Sequence, residues 1–173
     1  MKKHLVTIIV SVVVIGIGLF VLLRGPSKKD GDVLRIPDLV YETLNGSMKL
    51  PSPPSEKGYT LLYFWATWSP ACYTDLAALD ALARKTPRYS VMTVAVDGKG
   101  HDLLGSYVSK NNVVFPVARG DLAFVKKLAD IPGIPLLLVL DKNRIVLRSY
   151  LGSINPQVMA ELERGEYALE KTQ

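Results

Sequence analysis

The residues with the most chemical potential lie in one stretch, YFWATWSPACYTDL, at positions 63–76. It contains the only cysteine of the 173-residue chain, Cys72, with Ser69 three positions before it and Asp75 three after. A thiol in the first turn of a helix ionises below its ordinary pKa of about 8.5, because the free N–H groups there favour an anion. A thiol on a buried apolar stripe is instead inert, and the position of Cys72 is compatible with both. Ser69 is the poorer nucleophile. Its hydroxyl stays protonated, and no His, Asp or Lys in the stretch is placed to activate it as in a Ser–His pair. Serine is, however, among the best helix N-caps, so Ser69 is expected to cap the following helix, with Pro70 at its first position. One cysteine excludes an intrachain disulfide, and with it ordinary dithiol exchange by a single chain. With only His4 and His101 as histidines, a zinc or copper site of several Cys and His ligands is not expected, and no other cofactor is indicated.

These residues need a scaffold. Residues 59–66, YTLLYFWA, are aromatic, β-prone and uncharged, as in a central strand buried on both faces. A helix is expected over 70–84, since Cys72, Leu76, Leu79 and Ala83 form one apolar stripe. YSVMTVAV (89–96) reads as the next buried strand. HDLLGSYVSKN (101–111) has helical spacing at Leu103, Leu104, Tyr107 and Val108, and His101 opens that helix. Residues 115–117 are extended, and 121–130 form a helix opened by Asp121. After IPGIP come two strands, 136–141 and 144–152, around a Lys142-Asn143 turn, and Asn155-Pro156 starts a last helix. Upstream, IPDLVYETLNGSMKL reads as a hairpin around Asn45-Gly46, and PSPPSEKG as a loop. The alternation implies a central sheet covered by helices on both faces.

The amino-terminal segment is of another kind. Residues 5–23 carry no charge, and as a helix would be about 28 Å long, close to the hydrocarbon thickness of a bilayer. No small-x-small cleavage site and no lipid-accepting cysteine follow it, so an uncleaved transmembrane anchor is expected. The flanking charges, Lys2 and Lys3 against Arg24, Lys28 and Lys29, do not decide orientation. The Lys-rich start resembles a bacterial export signal, which places the amino terminus in the cytoplasm and the domain outside. The expected organisation is residues 1–4 cytoplasmic, 5–23 anchor, 24–35 linker, 36–164 domain and 165–173 polar tail. Most of the formal charge of +5 sits in the first thirty residues. The domain itself is nearly neutral and offers no basic surface to nucleic acid.

Taken together, IPDLVYETLNGSMKL, LLYFWATWSPACYTDL, VMTVAVDG and FVKKLADIPGIPLLLVLDKNRIVLRSYLG resemble the membrane-anchored thioredoxin-like proteins of the TlpA/ResA/CcmG type, within the redoxin group. The likeness spans roughly residues 36–154. It implies a thioredoxin-like α/β fold with a central mixed sheet, and extracytoplasmic, periplasmic thiol–disulfide chemistry at the inner membrane. Position by position, Cys72 matches the resolving cysteine and Pro135, after Ile134, matches the cis-proline that presents backbone to a bound peptide. Trp65 and Trp68 match the aromatics before the motif, as core and groove residues respectively. Asp75 matches an acid common one turn after the resolving cysteine, although an aspartate there is more often solvated. Ser69 stands where the attacking cysteine belongs, and Tyr63 where thioredoxins carry a buried acid.

Three functions follow from this pattern. The first is partner-polypeptide binding in the groove formed by Trp68, Pro70, Ile134 and Pro135, without electron transfer. The second is monothiol exchange through Cys72 with an external resolving thiol. The third is a thiol peroxidase, since Ser69-Pro70-Ala71-Cys72 supplies the Ser-x-x-Cys half of the peroxiredoxin motif. In that motif, however, the proline position holds Trp65 and the arginine position Pro135, which leaves Arg119, Arg144 or Arg148 to substitute in space.

Overall fold

A hairpin opens the sheet, with β1 (Val40–Thr43) and β2 (Gly46–Lys49) paired antiparallel. Thr43 pairs with Gly46, so Leu44 and Asn45 form the tip and the turn falls one residue earlier than the Asn45-Gly46 dipeptide suggests. Thr43 Oγ1 fixes it by donating to the Gly46 carbonyl at 2.6 Å. Gly46, at φ +111°, takes the backbone conformation that other residues avoid. The remaining elements are β3 (Tyr59–Trp65), α1 (Pro70–Lys85), β4 (Tyr89–Ala95), α2 (His101–Lys110), β5 (Val117–Arg119), β6 (Leu136–Leu140), β7 (Val146–Leu151) and α3 (Pro156–Arg164). The computed structural model describes residues 34–38, 40–97, 101–120 and 133–167. All of them belong to one unit, Val33–Lys171.

The strands form one mixed sheet in the order β2-β1-β5-β4-β3-β6-β7. β3 is central, parallel to β4 and antiparallel to β6, and β4 is parallel to β5. Strand alternation splits the core in two. Leu61, Tyr63 and Trp65 face one side, where they pack with Leu76, Leu79 and Leu82 of α1, Leu104 of α2 and Leu162 of α3. Leu62, Phe64 and Ala66 face the other, with Ile36, Tyr41, Met92, Val94 and Leu138. The three described helices all contribute to the first cluster. The helix expected over 121–130 lies outside the described residues.

Each helix follows its local signals. In α1 the apolar stripe faces the sheet, and Arg84 and Lys85 in the last turn suit the negative end of the helix dipole. In α2, Leu104, Tyr107 and Val108 face the core, but Leu103 is 72% exposed. A stripe through 104, 107 and 108 turns position 103 toward solvent, so Leu103 does not join the face its spacing suggested. Asn155 caps α3, its side chain accepting the Val158 N–H at 2.9 Å, and Gly165 ends it in a left-handed conformation at φ +64°. A side chain at Gly165 would also run into Arg88.

The sheet reaches beyond the boundaries that composition suggested. Arg35 bridges Ile145 antiparallel, and the Val146 N–H donates to the Leu34 carbonyl at 2.8 Å, so the end of the linker is held along β7. At the other end, Tyr167 meets Tyr59 edge-on at 4.8 Å and shares a hydrogen bond with Tyr89. An aromatic side chain thus ties the start of the polar tail to the core. The expected anchor, residues 5–23, lies outside the described residues, and none of the described helices is long and apolar enough to cross a membrane.

Candidate functional site

The site forms where β3 ends and α1 begins. Ala66 to Ser69 turn the chain, and that turn is tied to the neighbouring strand. Asp97, just past β4, accepts from both the backbone N–H of Thr67 at 2.8 Å and its hydroxyl at 2.5 Å. This anchorage fixes where Trp68 and Ser69 stand. In the sequence, Asp97 was legible only as an acid closing a strand.

Ser69 occupies the N-cap position of α1 in an extended conformation, and its carbonyl accepts the Cys72 N–H at 3.1 Å. Its side chain makes no capping hydrogen bond, contrary to expectation. The helix start therefore rests on backbone geometry and Pro70. Trp68 is 67% exposed and Pro70 is exposed, whereas Trp65 is fully buried, its ring 5.4 Å from that of Tyr107. The two tryptophans thus divide into a surface and a core aromatic.

The peptide bond between Ile134 and Pro135 is cis. The β3–β6 ladder ends where Phe64 pairs with Leu136, so Pro135 directly precedes the residue that pairs next to the end of β3. The sequence-predicted residues Trp68, Ser69, Pro70, Cys72, Ile134 and Pro135 thus converge on one end of the sheet. Pro135 is buried, and its carbonyl accepts the Gly152 N–H at 2.8 Å. Among the described residues, the backbone N–H and C=O of Ile134 make no hydrogen bond.

Cys72 is 0% exposed and belongs to the core cluster that α1 makes with the sheet. Its surroundings are not purely apolar. Asp75, one turn on, is 2% exposed and so is not a solvated helix residue. The Tyr63 hydroxyl donates to Asp75 Oδ2 at 2.8 Å, and the Ile154 N–H donates to Oδ1 at 3.0 Å. Burial raises the carboxyl above the ordinary aspartate range, and these two donors oppose the rise without cancelling it. The Tyr63 phenol is pushed far upward, first by burial and then by the neighbouring Cys72 sulfur and Asp75 carboxylate. Thiol, phenol and carboxyl therefore form one buried polar cluster. In place of the strand acid of thioredoxins, Tyr63 presents a phenol, and the acid comes from the helix.

The sequence held a partial signal for this pairing. Tyr63 alternates with Leu61 and Trp65, so it faces α1, and Asp75 lies beside the Cys72–Leu76–Leu79 stripe. The partner of its second oxygen, the backbone of Ile154, is 79 residues away and has no sequence signature. The arginines considered for peroxide chemistry are elsewhere. Arg144 meets Asp38 and the Ile36 carbonyl, Arg148 donates to the Leu147 carbonyl, and Arg119 closes β5. Among the described residues, none of them hydrogen-bonds to Cys72.

The element order, mixed sheet, helix-start motif and cis proline define a thioredoxin-like fold. No family model matches the chain. It is similar to sporulation thiol-disulfide oxidoreductase A of Bacillus subtilis (strain 168), at 21% identity over 166 residues that cover 93% of this chain and 97% of the relative. Among solved structures, it is similar to the thioredoxin domain of a thiol-disulfide oxidoreductase from Bacteroides vulgatus, with a TM-score of 0.61, 17% identity, and 80% and 98% of the two chains covered. It is also similar to a secreted Mycobacterium tuberculosis disulfide oxidoreductase, with a TM-score of 0.58, 18% identity, and 74% and 93% covered. The proteins that the chain resembles are thus thiol–disulfide oxidoreductases of the thioredoxin-like, redoxin type, as its motifs implied.

Proposed function

We propose that this protein is a membrane-anchored, extracytoplasmic thioredoxin-like protein that has lost dithiol exchange and holds an extended partner polypeptide beside the cis proline. The observation that carries the reading is the state of its only thiol: Cys72 is fully buried, and the attacking position before it is Ser69. The residues around the cis proline support a role in recognition. Trp68 and Pro70 are exposed, and the backbone groups of Ile134, without a partner among the described residues, suit a peptide that pairs strand-like with the loop. Leu151, 60% exposed and close to Gly133, extends that surface with an apolar side chain. The uncharged run 5–23 supports the anchor, and the Lys-rich start supports an outward-facing domain on the periplasmic side.

The experiment is complementation in a strain that depends on this protein. Cys72→Ala is expected to retain activity, and Trp68→Glu to lose it with the folded protein at normal level. Loss with Cys72→Ala and retention with Trp68→Glu would contradict the proposal.

A second reading is favoured by the Tyr63–Asp75 pair next to Cys72. In it, the Cys72 thiol passes its proton to that pair, and the thiolate attacks a partner disulfide. One partner sulfur then leaves as a thiolate, and an external thiol resolves the mixed disulfide. The same Cys72→Ala result separates the two readings.

A further inference from the structure

A second concave site is lined by residues other than those of the helix-start motif. It is a cavity of about 670 Å³ between the tip of the opening hairpin, α2 and the segment that leads into β5. Leu44, Met48, Val108 and Phe115 contribute apolar walls, and Arg119 lines it as the cation. Its volume falls within the range of about 300–1,000 Å³ typical of small-molecule sites. In the sheet register Arg119 pairs with Ala95, and Ala95 with Trp65, so Arg119 stands at the carboxyl end of the parallel strands. That end is where ligands collect in open α/β sheets.

Arg119 carries an unpaired buried nitrogen among the described residues. Its Nε is buried with no hydrogen-bond partner, and among the described residues no carboxylate pairs with its guanidinium. Asp97, at the end of the neighbouring strand, directs Oδ1 to Thr67 rather than to Arg119. Arg35, Arg84, Arg88 and Arg144 each have a hydrogen-bond or ion-pair partner. A buried guanidinium nitrogen without an acceptor is costly unless a ligand supplies one. A carboxylate fits it, through two parallel N–H···O bonds. The apolar walls select what the carboxylate is attached to.

We infer that the cavity beside Arg119 binds a small organic carboxylate with an apolar body, the guanidinium holding the carboxylate and the walls holding the body. This site is independent of the peptide surface at Pro135, so either assignment can fail without the other.

The test uses the full chain, 15N-labelled in nanodiscs and titrated with 3-phenylpropionate. Saturable shifts are expected at the amides of Val108, Phe115 and Arg119. Arg119→Gln is expected to weaken binding at least ~10-fold, since it removes the charge-assisted pair. Gly105 also lines the cavity, and a side chain placed there meets nothing within 4 Å. Gly105→Leu therefore fills the cavity with Arg119 untouched, and should weaken binding comparably even if Arg119→Gln fails to fold. Three results would overturn the inference: no shifts at these amides, equal binding by neutral 3-phenylpropionamide or by inorganic phosphate, or unchanged binding in both variants.

Discussion

Ser69→Cys is expected to turn a protein without disulfide turnover into one that reduces a disulfide substrate in the presence of a dithiol. The substituted position is the N-cap of a 16-residue helix, three residues before Cys72. A thiol there experiences the positive end of the helix dipole, which draws its pKa from about 8.5 toward 7 or below. The substitution costs little stability, because the Ser69 side chain makes no capping bond that would be lost. Cys72 then acts as the buried resolving thiol, with the Tyr63–Asp75 pair beside it to take up its proton. Turnover should rise from background to at least ~100-fold above it, because one thiol cannot close and reopen its own disulfide but two can. Oxidised protein should also lose two hydrogens by mass. Two thiols that stay free under mild oxidant would mean that the helix start no longer holds the geometry of a dithiol site.

The second large effect concerns Asp75. Asp75→Ala leaves the Tyr63 hydroxyl and the Ile154 N–H without an acceptor in the core. Each buried unpaired donor costs roughly 1–3 kcal/mol, so a loss of about 2–6 kcal/mol is expected in urea unfolding. Asp75→Asn keeps an oxygen for Ile154 and an amide that can donate to the Tyr63 oxygen, and should lose far less. The two variants also differ from the parent in pH dependence. Burial raises the folded-state pKa of Asp75 above its unfolded value of about 3.9. A raised pKa means that the folded state binds the proton more tightly, so its contribution to stability is complete below the unfolded value and is lost as pH rises through the folded one. The parent should therefore lose stability relative to Asp75→Asn as pH rises from about 4 toward neutrality. Parallel curves for the two proteins would show that the carboxyl ionises in the core without penalty.

Most of the fold was legible because its signals are local. Ser69-Pro70 marked one helix start and Asn155-Pro156 another, and the uncharged run 59–66 marked the central strand. The cis bond at Pro135 followed from the place of that proline before a buried strand, read through the family resemblance. What stayed hidden depends on contacts distant in sequence. The role of Asp75 could not be read from its own helix, where an acid beside an apolar stripe usually meets water. Its burial is explained by Tyr63 across the sheet–helix interface and by the backbone of Ile154. The capping role expected of Ser69 failed because residue type gives only a preference, and this helix start has Pro70 at its first position and no side-chain cap bond. The Nε of Arg119, buried and unpaired among the described residues, had no sequence signal beyond its position at a strand end.

The most direct test of the central claim, that Cys72 is a core residue rather than an exposed nucleophile, is its alkylation rate against pH in the native protein and in denaturant. A thiol that is 0% exposed predicts negligible native labelling across pH 6–9 and rapid labelling once the chain unfolds. Rapid native labelling with a midpoint below about 7.5 would contradict it, since that behaviour belongs to an accessible, activated thiolate.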